Sequence, residues 1–210
     1  MMNTDNILIN TQSSIKLKLN KTVYFDPFKI EKEYHDADII FVTHNHYDHF
    51  DESSINNIKN DNTIIVAPKS MESEIRHIEF KNYIFLNPNE ETSVDDITIK
   101  AIPSYNIDKP FHPRENNWLG YIVTIDNVSY YIAGDTDKTK EAENVLCDIA
   151  LVPIGGHFTM DVNDAADLIK SINPKVVIPT HYGSIVGDIS DGKRFKELLS
   201  NTKIEVIEKL

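Results

Sequence analysis

The chain predicts an α+β fold, two β-sheets packed together and flanked by helices, in a single domain spanning residues 1–210. Three observations carry this expectation. Short apolar, β-branched runs recur along the whole length, whereas few segments repeat apolar residues at helical spacing. Three of the strand-like runs end in side chains that ligate metal ions, which places chemistry at the rim of a sheet. Hydrophobic content of 40% and charged content of 26% match a soluble globular protein, and 210 residues suffice for one sizeable core or at most two small ones.

The elements follow in order. Ile15, Leu17 and Leu19 alternate with Lys16 and Lys18, the pattern of a half-buried strand. Asn20-Lys21 turns the chain into a second strand, Thr22 to Phe25, which ends at Asp26-Pro27. Asp38 to Thr43 is an apolar strand, and Thr63 to Ala67 another, stopped by Pro68. Between them, Ser53 to Asn60 carries Ile55 and Ile58 at helical spacing, and Met71 to Phe80 reads as a second helix with Ile75 and Ile78 inward. Strands are then expected at Tyr83 to Leu86, Val94 to Ile102, Tyr121 to Ile125 and Tyr130 to Ala133, with Asp126-Asn127 as a hairpin turn. Ile149 to Val152, Val176 to Ile178 and Lys203 to Ile207 complete the strands. Asp161 to Ile172 is the clearest helix: Val162, Ala165, Leu168, Ile169 and Ile172 share a face, Thr159 or Asp161 caps it, and Asn173-Pro174 ends it. Arg194 to Leu199 is a short final helix.

The most informative segment is His44-Asn45-His46-Tyr47-Asp48-His49, directly after the strand that ends at Thr43. Imidazole nitrogens and carboxylate oxygens are the usual ligands of zinc and its neighbours. Four such groups in six residues are too dense for one ion. His44 and His46 point the same way, while Asp48 and His49 aim at a second point nearby, which suits two ions roughly 3.5–4 Å apart. Cys147 is the single cysteine, so a closed cysteine-rich structural zinc site is excluded. Two later strand ends supply further donors: Gly134-Asp135-Thr136 after Tyr130 to Ala133, and Pro179-Thr180-His181-Tyr182 after Val176 to Ile178.

Taken together, His44-x-His46-x-Asp48-His49, Gly134-Asp135-Thr136 and Pro179-Thr180-His181-Tyr182 resemble the metallo-β-lactamase fold superfamily of metal-dependent hydrolases. Asp26-Pro27-Phe28 and Pro153-Ile154-Gly155-Gly156, in the same order, resemble its ascorbate-6-phosphate-lactonase-like branch. The resemblance runs from about Ile7 to Gly187. It implies a four-layer αββα sandwich of two mixed sheets with the site at their edge. It also implies that His44 and His46 hold a first ion, that Asp48, His49 and His181 hold a second, and that Asp135 bridges them. Two departures stand out. Where relatives often place a third histidine of the first site, as Pro-Ala-x-His, this chain reads Pro103-Ser104-Tyr105-Asn106, with His112 six residues on. Where many relatives carry a histidine after the first strand, it reads Thr11-Gln12-Ser13-Ser14. A first site poorer in imidazole would favour a harder ion such as manganese over zinc, with nickel or iron as further candidates.

The expected reaction is hydrolysis of a small, anionic ester, lactone or phosphoester by a metal-bound hydroxide. Asp48 and His112 are the candidate catalytic groups, and Asn106, His112, Arg114, His157 and Tyr182 the candidate substrate contacts. Lys109 and Lys138 lie on loops beside them, where solvated side chains are the simpler reading; Trp118 reads as core. The alternatives are a phosphodiesterase or nuclease of the same fold, or a non-catalytic metal-binding protein with a weakened first site. The net charge of −12 argues against nucleic acid as a partner. No apolar run approaches the ~20 residues of a membrane span. The first ten residues lack the basic start of a signal peptide, and one cysteine precludes an internal disulfide, so a cytoplasmic location is expected. The acidic surface is compatible with a homo-oligomer.

Overall fold

Alternating and continuous apolar runs build two sheets, each with its own helices. The computed structural model, which describes residues 2–209, divides into two compact units, one ending at Asn87 and one running from Pro88 to Lys209.

In the first unit the strands are β1 (Ile7–Ile9), β2 (Ile15–Lys18), β3 (Thr22–Phe25), β4 (Ile39–Phe41), β5 (Ile64–Pro68) and β6 (Asn82–Leu86), neighbouring one another in chain order. β1, β2 and β3 pair antiparallel and β3 to β6 pair parallel. Parallel neighbours need crossovers; α1 (Glu52–Ile58) joins β4 to β5 and α2 (Glu72–Ile75) joins β5 to β6. One sheet face packs Tyr24, Ile40, Val42, Ile65 and Ala67 with Ile55 and Ile58 of α1 and with Met71 and Ile75. The other carries Val23, Ile39 and Val66, all buried, and Phe25 stacked on Phe41 at 4.6 Å. Because β3 and β4 run parallel, their C-terminal ends share one edge, and there the chain continues as Asp26 and as Thr43 to His49.

In the second unit the strands are β7 (Glu91–Val94), β8 (Ile97–Pro103), β9 (Leu119–Ile125), β10 (Val128–Ile132), β11 (Ile149–Pro153), β12 (Val176–Thr180) and β13 (Glu205–Val206), again adjacent in chain order. β7 to β10 form an antiparallel meander and β10 to β13 pair parallel. β8, β10, β11 and β12 therefore all end on the same edge. The helices are α3 (Lys140–Glu143), α4 (Val162–Ile172) and α5 (Asp191–Leu198). Ala165, Leu168, Ile169 and Ile172 of α4 pack with Tyr131, Ala150, Val152 and Val177 of the sheet and with Phe195 and Leu199. Asp161 caps α4 by accepting from the amides of Asn163 and Asp164, and Asn173, at φ 48°, closes it.

Several expected boundaries change. β1 and α3 were not anticipated. The expected strand Val94 to Ile102 is the hairpin β7–β8, turned at Asp95 with φ 52°. The helix expected over Met71 to Phe80 stops at Ile75: Ile78 still reaches the core through a turn, and the chain must then enter β6 alongside β5. The final helix starts three residues earlier than expected, at Asp191.

A polar cluster on the first sheet is open to test. Asp36 accepts from Lys16 Nζ at 2.7 Å and from the buried Tyr24 hydroxyl at 2.8 Å. Partial burial pulls the Asp36 carboxyl upward, but these hydrogen bonds hold it below the usual carboxylate range. A depressed carboxylate stabilises the fold above its unfolded pKa, and that contribution fades as pH falls through the folded value. Asp36→Asn is expected to cost about 1 kcal/mol at neutral pH, because the pair is partly solvated. The difference from the parent protein should close in acid, as read from urea midpoints at both pH values.

Candidate metal centre

The end of β3 and the end of β4 are tied by one carboxylate. Asp26, fully buried at φ 45°, accepts from the Thr43 amide at 2.8 Å, the Thr43 hydroxyl at 2.7 Å and His49 Nδ1 at 2.7 Å. The Thr43 hydroxyl spends its hydrogen on Asp26, so its oxygen accepts from His44 Nδ1 at 2.9 Å. Both rings are thereby held as the tautomer protonated at Nδ1, with the lone pair on Nε2. Burial pushes the Asp26 carboxyl above the ordinary range, opposed by His49 and Thr43.

His46 Nδ1 lies 3.1 Å from His44 Nε2, the His44 and His49 rings approach to 3.9 Å, and Asp48 Oδ2 lies 3.8 Å from His49 Nε2. The four donors of the opening motif thus gather within the first unit. Gln12, in the β1–β2 turn, is fully buried at φ 51°, and among the described residues neither of its amide heteroatoms has a hydrogen-bond partner.

The second unit gathers its own set. Gly134, at φ 64°, turns the chain out of β10 so that Asp135 follows at the edge. Asp135 Oδ2 lies 3.2 Å from His181 Nε2 and 3.4 Å from His112 Nε2. His181 sits at φ 55° just past β12. A Cβ on Gly155 would collide with its carbonyl oxygen, which accounts for the glycine in Ile154-Gly155-Gly156.

The Asn106 departure has a structural answer. Its amide oxygen accepts from the His112 amide at 3.0 Å and lies 3.1 Å from His112 Nδ1, while its amide nitrogen donates to the Phe158 carbonyl at 2.9 Å. An amide oxygen only accepts, so His112 too is protonated at Nδ1 and turns Nε2 toward Asp135. Trp118 packs edge-on against this ring at 5.5 Å.

The remaining candidates are held by other contacts. Arg114 donates to Glu141 at 2.7 Å and lies over the Tyr105 ring. His157, exposed at φ 49°, lies edge-on to Phe158 and tilted against Phe111. Tyr182 belongs to the core of the second unit, and burial followed by the charges of Glu208 and Asp191 pushes its hydroxyl up. Lys109 is held by Asp137 and the Thr159 carbonyl, and Lys138 by Glu143. Asp26 and Thr43 are the residues that sequence reasoning missed. The signal was available: an aspartate directly after one strand and a threonine directly after its parallel neighbour.

The donor chemistry fits cations. With Nδ1 of His49 and His112 turned to Asp26 and Asn106, their Nε2 lone pairs face the Asp48 and Asp135 carboxylates at 3.8 and 3.4 Å, a juxtaposition that a bound cation would relieve.

Comparison with known proteins agrees with this chemistry. A family model described as a beta-lactamase superfamily domain matches residues 11–181 and so draws on both units. A UPF0173 metal-dependent hydrolase of Thermoplasma acidophilum is 34% identical over 198 residues, covering 89% of this chain and 87% of its own. One from Pyrococcus horikoshii is 32% identical over 203 residues, covering 90% and 88%. A protein of Parabacteroides distasonis assigned as a metal-dependent hydrolase superposes with a TM-score of 0.83 at 30% identity, over 97% of this chain and 92% of its own. The metallo hydrolase Igni18 of Ignicoccus hospitalis shares the fold, with a TM-score of 0.77 at 24% identity over 97% and 94%. The two mixed sheets with their helices are the metallo-β-lactamase fold, and the chain belongs to the metallo-β-lactamase superfamily, among its metal-dependent hydrolases.

Proposed function

We propose that this member hydrolyses a small ester, lactone or phosphoester at a two-ion centre, with zinc or manganese as the metal. The observation that carries the reading is the triple ring lock: His44, His49 and His112 each donate Nδ1–H into the protein and carry the lone pair on Nε2. In this reading the first unit supplies His44, His46, Asp48 and His49 as ligands, and the second supplies His112, Asp135 and His181. His112 takes the place of the third histidine, and Asn106 becomes its support.

When bound, such ions lower the pKa of water toward ~7 and polarise a carbonyl or phosphoryl group. The chain's own residues do the rest. Asp48, which lies beside His49 through Oδ2, takes the proton of the attacking water on its other oxygen. Water delivers its oxygen to the carbonyl carbon or phosphorus, the bond to the leaving oxygen breaks, and that oxygen recovers the proton. Asp26, Thr43 and Asn106 keep the imidazoles oriented, so no rotation is needed when substrate arrives. A lactone or ester substrate fits the lactonase-like order of motifs. The −12 charge disfavours the nuclease alternative.

Asp135→Ala and His46→Ala are expected to lose metal by elemental analysis and to lower hydrolysis of a generic ester by about 10²–10⁴-fold; full stoichiometry in the Asp135 variant would reject the bridging role. His112→Ala should lose one metal equivalent, whereas Asn106→Ala should keep the stoichiometry and weaken affinity about 10–100-fold in a chelator competition. Unchanged metal content with slower turnover in His112→Ala would instead make it a substrate contact. Asp26→Ala leaves two buried side-chain donors and one amide without their acceptor. It should cost about 3–5 kcal/mol by denaturant titration, as breaking a buried pair does. Metal bound only partially, with no turnover on esters or phosphodiesters, would favour the non-catalytic alternative.

A further inference from the structure

Every Lys and Arg on the four loops that leave the ligand-bearing edge of the second sheet is already paired with a carboxylate. These loops, residues 104–118, 133–139, 154–161 and 181–190, contain Lys109, Lys138 and Arg114 and no other lysine or arginine. Lys109 is bound to Asp137, Lys138 to Glu143 and Arg114 to Glu141. Lys109 is held further by the Thr159 carbonyl, and Arg114 lies over the Tyr105 ring. Releasing any of them for a substrate anion would break an existing ion pair.

The same loops expose apolar side chains instead. Ile107 is 58% exposed, Ile185 39% and Ile189 64%. Phe111, His157 and Phe158 form a three-ring cluster with centroids 4.4–5.2 Å apart, beside His112 in the chain. The ligand loop of the first unit follows the pattern by itself: between His46 and Asp48, Tyr47 is 66% exposed with its ring edge-on to Phe28. Surface apolar residues scattered singly need no explanation, but half of the large ones exposed among the described residues stand on loops that carry or follow metal donors.

Resting on the hydrolase reading above, we propose that the part of the substrate that is not cleaved is apolar and uncharged: an acyl or aryl chain on a carboxylic ester or lactone, not a phosphorylated or otherwise anionic group. The ions and their ligands handle the reacting carbonyl. Ile107, Phe111, Phe158, Ile185 and Ile189 exclude water from the chain attached to it. This narrows the small anionic substrate expected from the sequence, because the cations that would recognise an anion are engaged.

The test uses full-length protein loaded with zinc or manganese and the p-nitrophenyl esters of acetate, butyrate and hexanoate, with p-nitrophenyl phosphate alongside. kcat/KM should rise at least about tenfold from acetate to hexanoate and stay lowest for the phosphate. The double variant Ile107→Ser/Ile189→Ser should flatten the series with metal content retained, and Leu146→Ser, exposed elsewhere, should keep it. A series flat in chain length, or a preference for the phosphate, overturns the proposal. If no ester is turned over, calorimetric binding of hexanoate against acetate decides. Hexanoate binding at least about tenfold tighter, and lost in the double variant, keeps apolar recognition while the hydrolase reading falls. Equal binding overturns the proposal.

Discussion

Asp26 is where the first sheet and its chemistry are joined. One buried carboxylate accepts from the Thr43 backbone, the Thr43 hydroxyl and the His49 ring. The first contact fastens β4 to β3 one step beyond the ladder. The second makes the Thr43 oxygen an acceptor, which orients His44. The third orients His49. A carboxylate buried without partners would cost several kcal/mol, so the three donors and Asp26 require one another. The orientation of His44 and His49 follows from sheet register, not from the conformation of a free loop.

The second unit reaches a comparable result by topology. Two antiparallel turns bring β8 back into the direction of β10, so the ends of β8, β10, β11 and β12 share an edge with parallel neighbours only a few ångströms apart. Donors separated by dozens of residues meet there. Strained backbone accompanies the donors within each unit: His181 adopts positive φ in the second, and Asp26 does so in the first, as does Gln12, whose buried amide has no hydrogen-bond partner among the described residues. Such positions cost of order 1–3 kcal/mol each and gather where function over-determines the conformation. Regular packing in both cores offsets them, with α4 against its sheet in one unit and α1 against β4 and β5 in the other.

Much of this was legible in the sequence because it rests on period and residue type. The α4 stripe, its Asp161 cap and its Asn173 stop appear in the structure as expected. The His44 to His49 motif, Asp135 and His181 all fall at strand ends. What escaped was set by tertiary pairing. Asp95 breaks one apolar run into two strands because it takes a left-handed turn, which composition does not reveal. The segment after Ile75 has helical spacing yet must bend to pair with β5. The role of Asn106 was hidden for a similar reason. Read as a poor substitute for a ligand, it is the residue that turns His112, six positions away, toward Asp135. Lys109 read as solvated and Arg114 as a substrate contact because their partners, Asp137 and Glu141, are far along the chain.

Two populations of residues at these edges differ in what holds them. His44, His49, His112, Asp135 and His181 follow strand ends or are clamped by buried hydrogen bonds, whereas Tyr47, Ile107, Ile185 and Ile189 project from loops with much of their surface in water. Exposed side chains of this kind change at little cost to stability, usually within about 0.5 kcal/mol. Under the proposed reading, drift at those loop positions retunes which molecules are accepted while the clamped machinery, and the fold that supports it, passes unchanged from one descendant to the next. A lineage built this way would diversify in diet faster than in chemistry.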